Sequence, residues 1–96
     1  MAELKLKKPI KIDGEEKSVI EYDLEALTGE DIQQATKELS KVGIMVTTIE
    51  LDTTYHAALF AKASGLMFED LNRFSAKDYA KATTLVRDFF LADMAD

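Results

Sequence analysis

The sequence predicts an α+β fold in which an N-terminal antiparallel β-hairpin packs on a bundle of three main helices plus one short helix. Apolar and polar residues alternate over the first 24 residues, which is the period of a half-buried strand. From residue 28 onward the apolar residues recur at helical spacing, with Gly43 and Gly65 placed as helix stops. We expect residues 1–96 to form a single domain, with the hairpin in 1–24 and the helical part in 28–96.

The hairpin is centred on "IDGEEK", and the alternating apolar positions around it are all even-numbered: Leu4, Leu6, Ile10, Ile12, Ile20, Tyr22 and Leu24. Residues opposite one another in an antiparallel ladder point to the same face, so even must pair with even and the loop must hold an odd number of residues. This argument excludes a two-residue Asp-Gly turn. We predict a three-residue loop, 12–14, that sets Leu6 opposite Ile20 and Leu4 opposite Tyr22, although a five-residue loop keeps the same parity.

The first helix is predicted from "LTGEDI", in which Thr28 is the N-cap and Asp31 its reciprocal partner. This helix should run to about Val42 and stop at Gly43. Its predicted buried stripe is Ile32, Ala35, Leu39 and Val42.

A second helix is predicted over roughly residues 52–64, with Gly65 left-handed after its end and Leu66 folding back. Its predicted apolar positions are Tyr55, Ala58, Leu59 and Ala63. Between the first two helices, "IMVTTIELD" is apolar and β-branched and fits a short strand, an extended loop or a helix entry.

The stretch "FEDLNRFSAKDY" contains two further N-terminal signals of helices. "FEDLNRF" predicts a short helical turn, and Ser75 with Asp78 predicts a second capping box in which Asp78 contributes less than Ser75. The last helix should run from Ala76 to about Met94. Its predicted apolar face carries Tyr79, Ala82, Val86, Phe89 and Phe90.

Catalytic, cofactor and metal sites are not indicated by the residue pattern. Cysteine is absent, and the carboxylates of Glu69 and Asp70 point about 100° apart on a helix, into similar solvent. The four glycines are too scattered to cradle a phosphate. The single histidine, His56, has no nucleophile at a recognisable spacing, and a half-exposed structural imidazole is the favoured interpretation.

The net charge of −6 is opposite to that of most nucleic-acid-binding proteins. Lys5, Lys7 and Lys11 fall on one side of a strand, where alternating lysines usually guard against edge-to-edge pairing. A small helical nucleic-acid-binding regulatory protein stays as the alternative function. No apolar run approaches the length of a bilayer span and no apolar segment follows the first lysines, so we expect a cytoplasmic protein without membrane contact.

Surplus apolar residues are the remaining candidates for function. An apolar run without clear periodicity and a terminal helix with apolar residues over a wide arc exceed what one small core can cover. The candidate partner-binding residues are Ile44, Met45, Val46, Phe89, Phe90 and Met94.

Two stretches, "LKKPIKIDGEEKSVIEYDLEALTGEDI" and "ALFAKASGLMFEDLNRFSAKDYAKATTLVRDFF", together resemble the small tail assembly chaperones of long-tailed bacteriophages. In that family a hairpin bearing proline and Asp-Gly precedes a helix and an ending with a similar "gl…edl…dy…v…f" pattern. The resemblance covers about two thirds of the chain, and residues 42–52 have no counterpart in it.

The resemblance implies a non-enzymatic phage or prophage protein that binds the tape-measure protein, keeps it soluble and promotes assembly of the tail-tube protein. It implies no cofactor, and action in the host bacterial cytoplasm rather than in the mature virion. Self-association is a further expectation from the surplus apolar surface. Some members of the family also exist as a longer form made by translational frameshifting.

Overall fold

A computed structural model describes residues 2–43 and 53–94, with side chains up to residue 92. Two antiparallel strands, β1 (Ala2–Ile12) and β2 (Glu15–Tyr22), are followed by a single 3-10 turn, Leu24–Ala26. Four helices follow: α1 (Gly29–Lys41), α2 (Thr53–Ser64), the short α3 (Phe68–Leu71) and α4 (Ala76–Met94). The predicted α+β class, with a hairpin on three main helices and one short helix, is confirmed.

The hairpin turn differs from the prediction, because it is the two-residue Asp13-Gly14 turn that parity appeared to exclude. Both residues have positive φ, 54° and 80°, as a type I′ turn requires. Next to the turn Ile12 lies opposite Glu15, so even pairs with odd. At the open end Leu4 lies opposite Ile20 and Ala2 opposite Tyr22, so the predicted even pairing is restored two residues out of the predicted register.

A β-bulge in β1 explains why even-numbered residues pair with odd-numbered ones near the turn but with even-numbered ones at the open end. Between the ladder pairs at Lys5 and Ile10, β1 has four residues, Leu6 to Pro9, where β2 has only Ser18. Three surplus residues change the parity of the pairing within the strand instead of in the loop. Proline has no N–H to donate to a ladder, which suits Pro9 to this stretch. The even-numbered apolar residues therefore face the helices along the whole hairpin.

The bulge is held against α4 by Asp78. The Lys7 N–H donates to both carboxylate oxygens of Asp78, at 3.1 Å and 3.0 Å, and the Lys8 N–H donates to one of them at 3.1 Å. Successive backbone N–H groups of this kind form a concave site for an anion. The Asp78 side chain is buried, with 1 % exposure, so this contact lies between the hairpin and the helix rather than in solvent.

The second capping box is therefore only half formed as predicted. The Ser75 hydroxyl accepts the Asp78 N–H at 3.2 Å, but the Asp78 carboxylate is directed to the bulge. Burial raises the pKa of Asp78, yet the N–H groups of Lys7 and Lys8, the Ser75 hydroxyl and the charge of Lys81 outweigh burial and lower the pKa below its usual value. Asp78 is charged at neutral pH, and the prediction that it contributes less than Ser75 is replaced by the opposite expectation.

The α1 capping box is confirmed, since Thr28 and Asp31 each accept from the other's backbone N–H. The predicted helix stops are confirmed too: Gly43 and Gly65 have φ of 83° and 75°, and the Leu66 N–H folds back to the Ala61 carbonyl at 2.9 Å. Helix α2 is buried at every position from Tyr55 to Ala61, because it lies between α1, α3, α4 and the hairpin. The amphipathic stripe predicted for α2 is thus too narrow.

An aromatic contact joins the hairpin to the helices. The Phe60 ring of α2 lies 5.2 Å from the ring of Tyr22 and 6.5 Å from the ring of Phe74, between centroids. The Asp23 N–H, just after β2, donates to the Ala63 carbonyl at 3.0 Å. Together with Asp78, these contacts fix the open end and the middle of the hairpin on the helical part.

Replacing Gly14 with alanine tests the turn. Because Gly14 is left-handed and has open space around its Cα, Gly14→Ala should cost about 1 kcal/mol through backbone strain alone. Gly29→Ala is the matched control: Gly29 also has open space but no positive φ, so that variant should be neutral or slightly stabilising. Urea unfolding of both variants provides the check, and equal free energies of unfolding would argue against the two-residue turn.

Replacing Asp78 with asparagine tests the hairpin–helix contact. At pH 7, Asp78→Asn should lower the free energy of unfolding by about 2 kcal/mol, since charge-assisted hydrogen bonds from two buried N–H groups are lost. A lowered pKa contributes stability above the unfolded value of about 3.9, and that stability is lost as pH falls through the lower folded pKa. The difference between the two proteins should therefore shrink below about pH 4.

The control for this comparison is Asp88→Asn, a change at an exposed carboxylate on the same helix that pairs only with Arg87 in the described hydrogen bonds. It should change stability by less than about 0.5 kcal/mol. If the two substitutions change the free energy of unfolding equally at pH 7, the Asp78 contact contributes no more to stability than an exposed carboxylate does.

Candidate functional site

The sequence-predicted partner residues divide between described and undescribed parts of the chain. Ile44, Met45 and Val46 lie outside the described residues, and so does the side chain of Met94. Phe89 and Phe90 are half-buried on α4, with their rings edge to face at 5.4 Å. They remain candidates for partner binding.

The two phenylalanines have different surroundings. Phe90 packs against the core, whereas Phe89 lines a shallow recess of about 340 Å³ together with Tyr22, Leu24 and Glu25. Of the apolar residues predicted to spread around this end of α4, only some therefore pack against the core. Leu91, the next residue, is 41 % exposed.

Four large apolar side chains are exposed among the described residues: Val19, Val42, Met67 and Leu91. Val42 and Met67 stand out with exposures of 66 % and 67 %. The predicted burial of Val42 is wrong, because Val42 is the C-cap of α1 and lies beyond the last turn that packs on α2. Both residues border the same surface depression.

This depression, which we call the α1–α3 groove, has a volume of about 300 Å³. Leu39 and Val42 of α1 form one wall, and Leu66, Met67 and Phe68 form the other. Its floor is α2, where Ala58 and Ala61 present only methyl groups. The groove is therefore apolar, open and lined by three elements of the fold.

Among the described residues, three charged side chains line the edge of the groove. The Lys62 ammonium lies 3.2 Å from the Glu38 carboxylate and the two charges offset one another. Glu69 is exposed on the first turn of α3 and also lines the groove. The net charge at the edge is therefore negative.

Sequence reasoning missed the groove, although one signal was present. "LMF", residues 66–68, follows a helix stop, and three consecutive apolar residues there cannot all face the core. Leu66 and Phe68 pack against it, which leaves Met67 outside.

Of the two carboxylates in the "FEDLNRF" stretch, that of Asp70 is engaged in structural contacts. Asp70 accepts the Met67 N–H at 2.9 Å and forms an ion pair with Arg73. This geometry caps the short helix α3, which the sequence predicted as a helical turn, and directs the carboxylate back to its own backbone. With Asp78 committed to the bulge, the cluster is not arranged as a pair of carboxylates facing a common substrate.

His56 lies in the core, not at its edge. Its exposure is 1 %, so the expectation of a half-exposed imidazole is wrong; α2 is enclosed on all sides at this level. The imidazole and the Tyr55 ring lie 6.1 Å apart, and burial raises the pKa of Tyr55. A substrate would have to open the core to reach His56.

The lysines of β1 share their surface with acids. Register places Lys11 opposite Glu16, and Glu3 opposite Glu21, on the solvent side of the hairpin. This face therefore mixes charges and lacks the uniformly basic character that phosphate binding requires. The nucleic-acid alternative gains no support from this arrangement.

Within the described ranges, 2–43 and 53–94, no cluster of three or more histidine or acidic side chains is arranged to hold a metal ion. None of the helices in these ranges has both the length and the apolar content to span a membrane.

Residues 3–91 match the sequence model of a family described as "Phage tail assembly chaperone proteins, E, or 41 or 14". The match extends over nearly the whole hairpin and over the helices as far as residue 91 of α4, and it includes residues 42–52. Comparisons with curated proteins and with solved structures gave no match.

Proposed function

The chain belongs to the phage tail assembly chaperone family, and from that membership we propose that it binds the tape-measure protein and keeps it soluble while the tail tube assembles. The family match over residues 3–91 is the observation that carries this proposal. Family membership points to a non-catalytic role, which fits the structural use of Asp70 and Asp78 and the burial of His56.

Such a function requires exposed apolar surface that can bind a client protein. Exposed Val42 and Met67, half-buried Phe89 and the shallow recess beside it provide such surface on the described part of the chain. Methionine adapts to differently shaped partners, and aromatic rings supply large contact area. Ile44, Met45 and Val46 follow Val42 after Gly43 in the sequence and belong to the same proposal.

We place this activity in the host bacterial cytoplasm, where tail proteins assemble, and expect the chaperone to be absent from the finished virion. The tail-tube protein is the second proposed partner, and self-association is proposed through Phe89, Phe90 and Leu91 on α4.

Met45→Asp tests the proposal by co-expression with the tape-measure protein of the same phage or prophage. The wild-type chain should hold the client in the soluble fraction. On this proposal residue 45 belongs to the client surface and not to the core, so Met45→Asp should stay folded while the client sediments. Fractionation of the lysate and far-UV circular dichroism of the variant measure the two outcomes.

Leu39→Asp is the control for loss of fold. Leu39 has 1 % exposure, so this change buries an unpaired charge and should unfold the chain. Client that sediments with wild-type chain present would contradict the proposed function, and client that stays soluble with Met45→Asp would remove residues 44–46 from it.

A further inference from the structure

We propose that the α1–α3 groove is the docking surface for the client, and that it takes an amphipathic helical segment whose apolar side chains are flanked by lysine or arginine. This inference rests on the proposed function and names the surface that performs it. It is argued from the described residues that line the groove.

The shape of the groove suits a docked helix. Ala58 and Ala61 lie one helical turn apart on α2 and leave a shallow floor, while the exposed side chains of Val42 and Met67 line the same depression. A volume of about 300 Å³ admits one or two large apolar side chains, which is what a helix laid across a groove inserts at i and i+3 or i+4.

The edge of the groove carries exposed apolar side chains. Val42 and Met67 are the two most exposed large apolar side chains of the described residues, and they border the groove from opposite walls. A docked helix would cover both at once. The polar surroundings of the groove would then form the rim of the contact, as in protein interfaces generally.

Charge selects the occupant. A second copy of the chain brings another net charge of −6 to an edge that is already negative, so pairing of copies is opposed electrostatically. A basic client segment is attracted instead. Glu69 is the exposed carboxylate at this edge, since Glu38 is already neutralised by Lys62.

The test uses fluorescent 20-residue peptides that together span the tape-measure protein, titrated with the intact chain. At least one peptide with apolar residues at helical spacing and a flanking basic residue should bind. Val42→Asp and Met67→Asp should each weaken that peptide at least about tenfold. Both variants should stay folded, because both side chains are largely exposed.

Val19→Asp is the matched control, because it makes the same substitution at an exposed valine of β2 that does not line the groove. It should bind the peptide within about twofold of wild type. Glu69→Gln should weaken binding and make it less sensitive to salt, whereas Glu21→Gln, on the hairpin, should leave both unchanged.

The outcomes separate the inference from the function on which it rests. If no peptide binds and the client is insoluble even with wild-type chain, the proposed function falls and the inference with it. If wild-type chain binds but Val42→Asp and Met67→Asp bind equally well, the inference alone is overturned. If Val42→Asp converts a dimer of the free chain to a monomer without weakening the peptide, the groove belongs to a second copy.

Discussion

The contact between the Asp78 carboxylate and the N–H groups of Lys7 and Lys8 is the constraint on which the arrangement of this protein depends. It joins positions 71 and 70 residues apart, so it connects the first strand to the last helix. A two-stranded hairpin is marginal in water by itself and needs a helical surface to pack on. The bulge that supplies the two N–H groups also changes the pairing of β1 with β2 from even–odd to even–even. One local irregularity therefore sets which side chains of the hairpin face the helices and attaches β1 to α4.

Features with local causes could be predicted from the sequence. The Thr28 capping box, the glycine stops at Gly43 and Gly65, and the short helix after Met67 depend on residues within one helical turn, and all are present. Alternation predicted which face of the hairpin is buried. It could not predict the two-residue turn, because a bulge elsewhere in the strand can compensate for any loop length.

Features with tertiary causes were the ones that sequence reasoning misassigned. Asp78 has the spacing of a capping residue, but its carboxylate binds a strand that is distant in sequence. His56 is buried because α2 has neighbours on all sides, which no periodicity within the helix reveals. Val42 continues the apolar stripe of α1 yet lies past the end of its partner surface, and that same displacement creates a wall of the α1–α3 groove.

The central proposal is that the buried and capping carboxylates serve the fold itself, while exposed apolar surface beside the ends of α1 and α2 is available to a client. Amide hydrogen exchange of the chain, alone and bound to the tape-measure protein, tests this most directly. Exchange should slow in residues 38–43 and 66–69, which border the groove, and stay unchanged in β2, whose solvent face lies elsewhere. Protection confined to the hairpin, or none at the groove, would contradict the account.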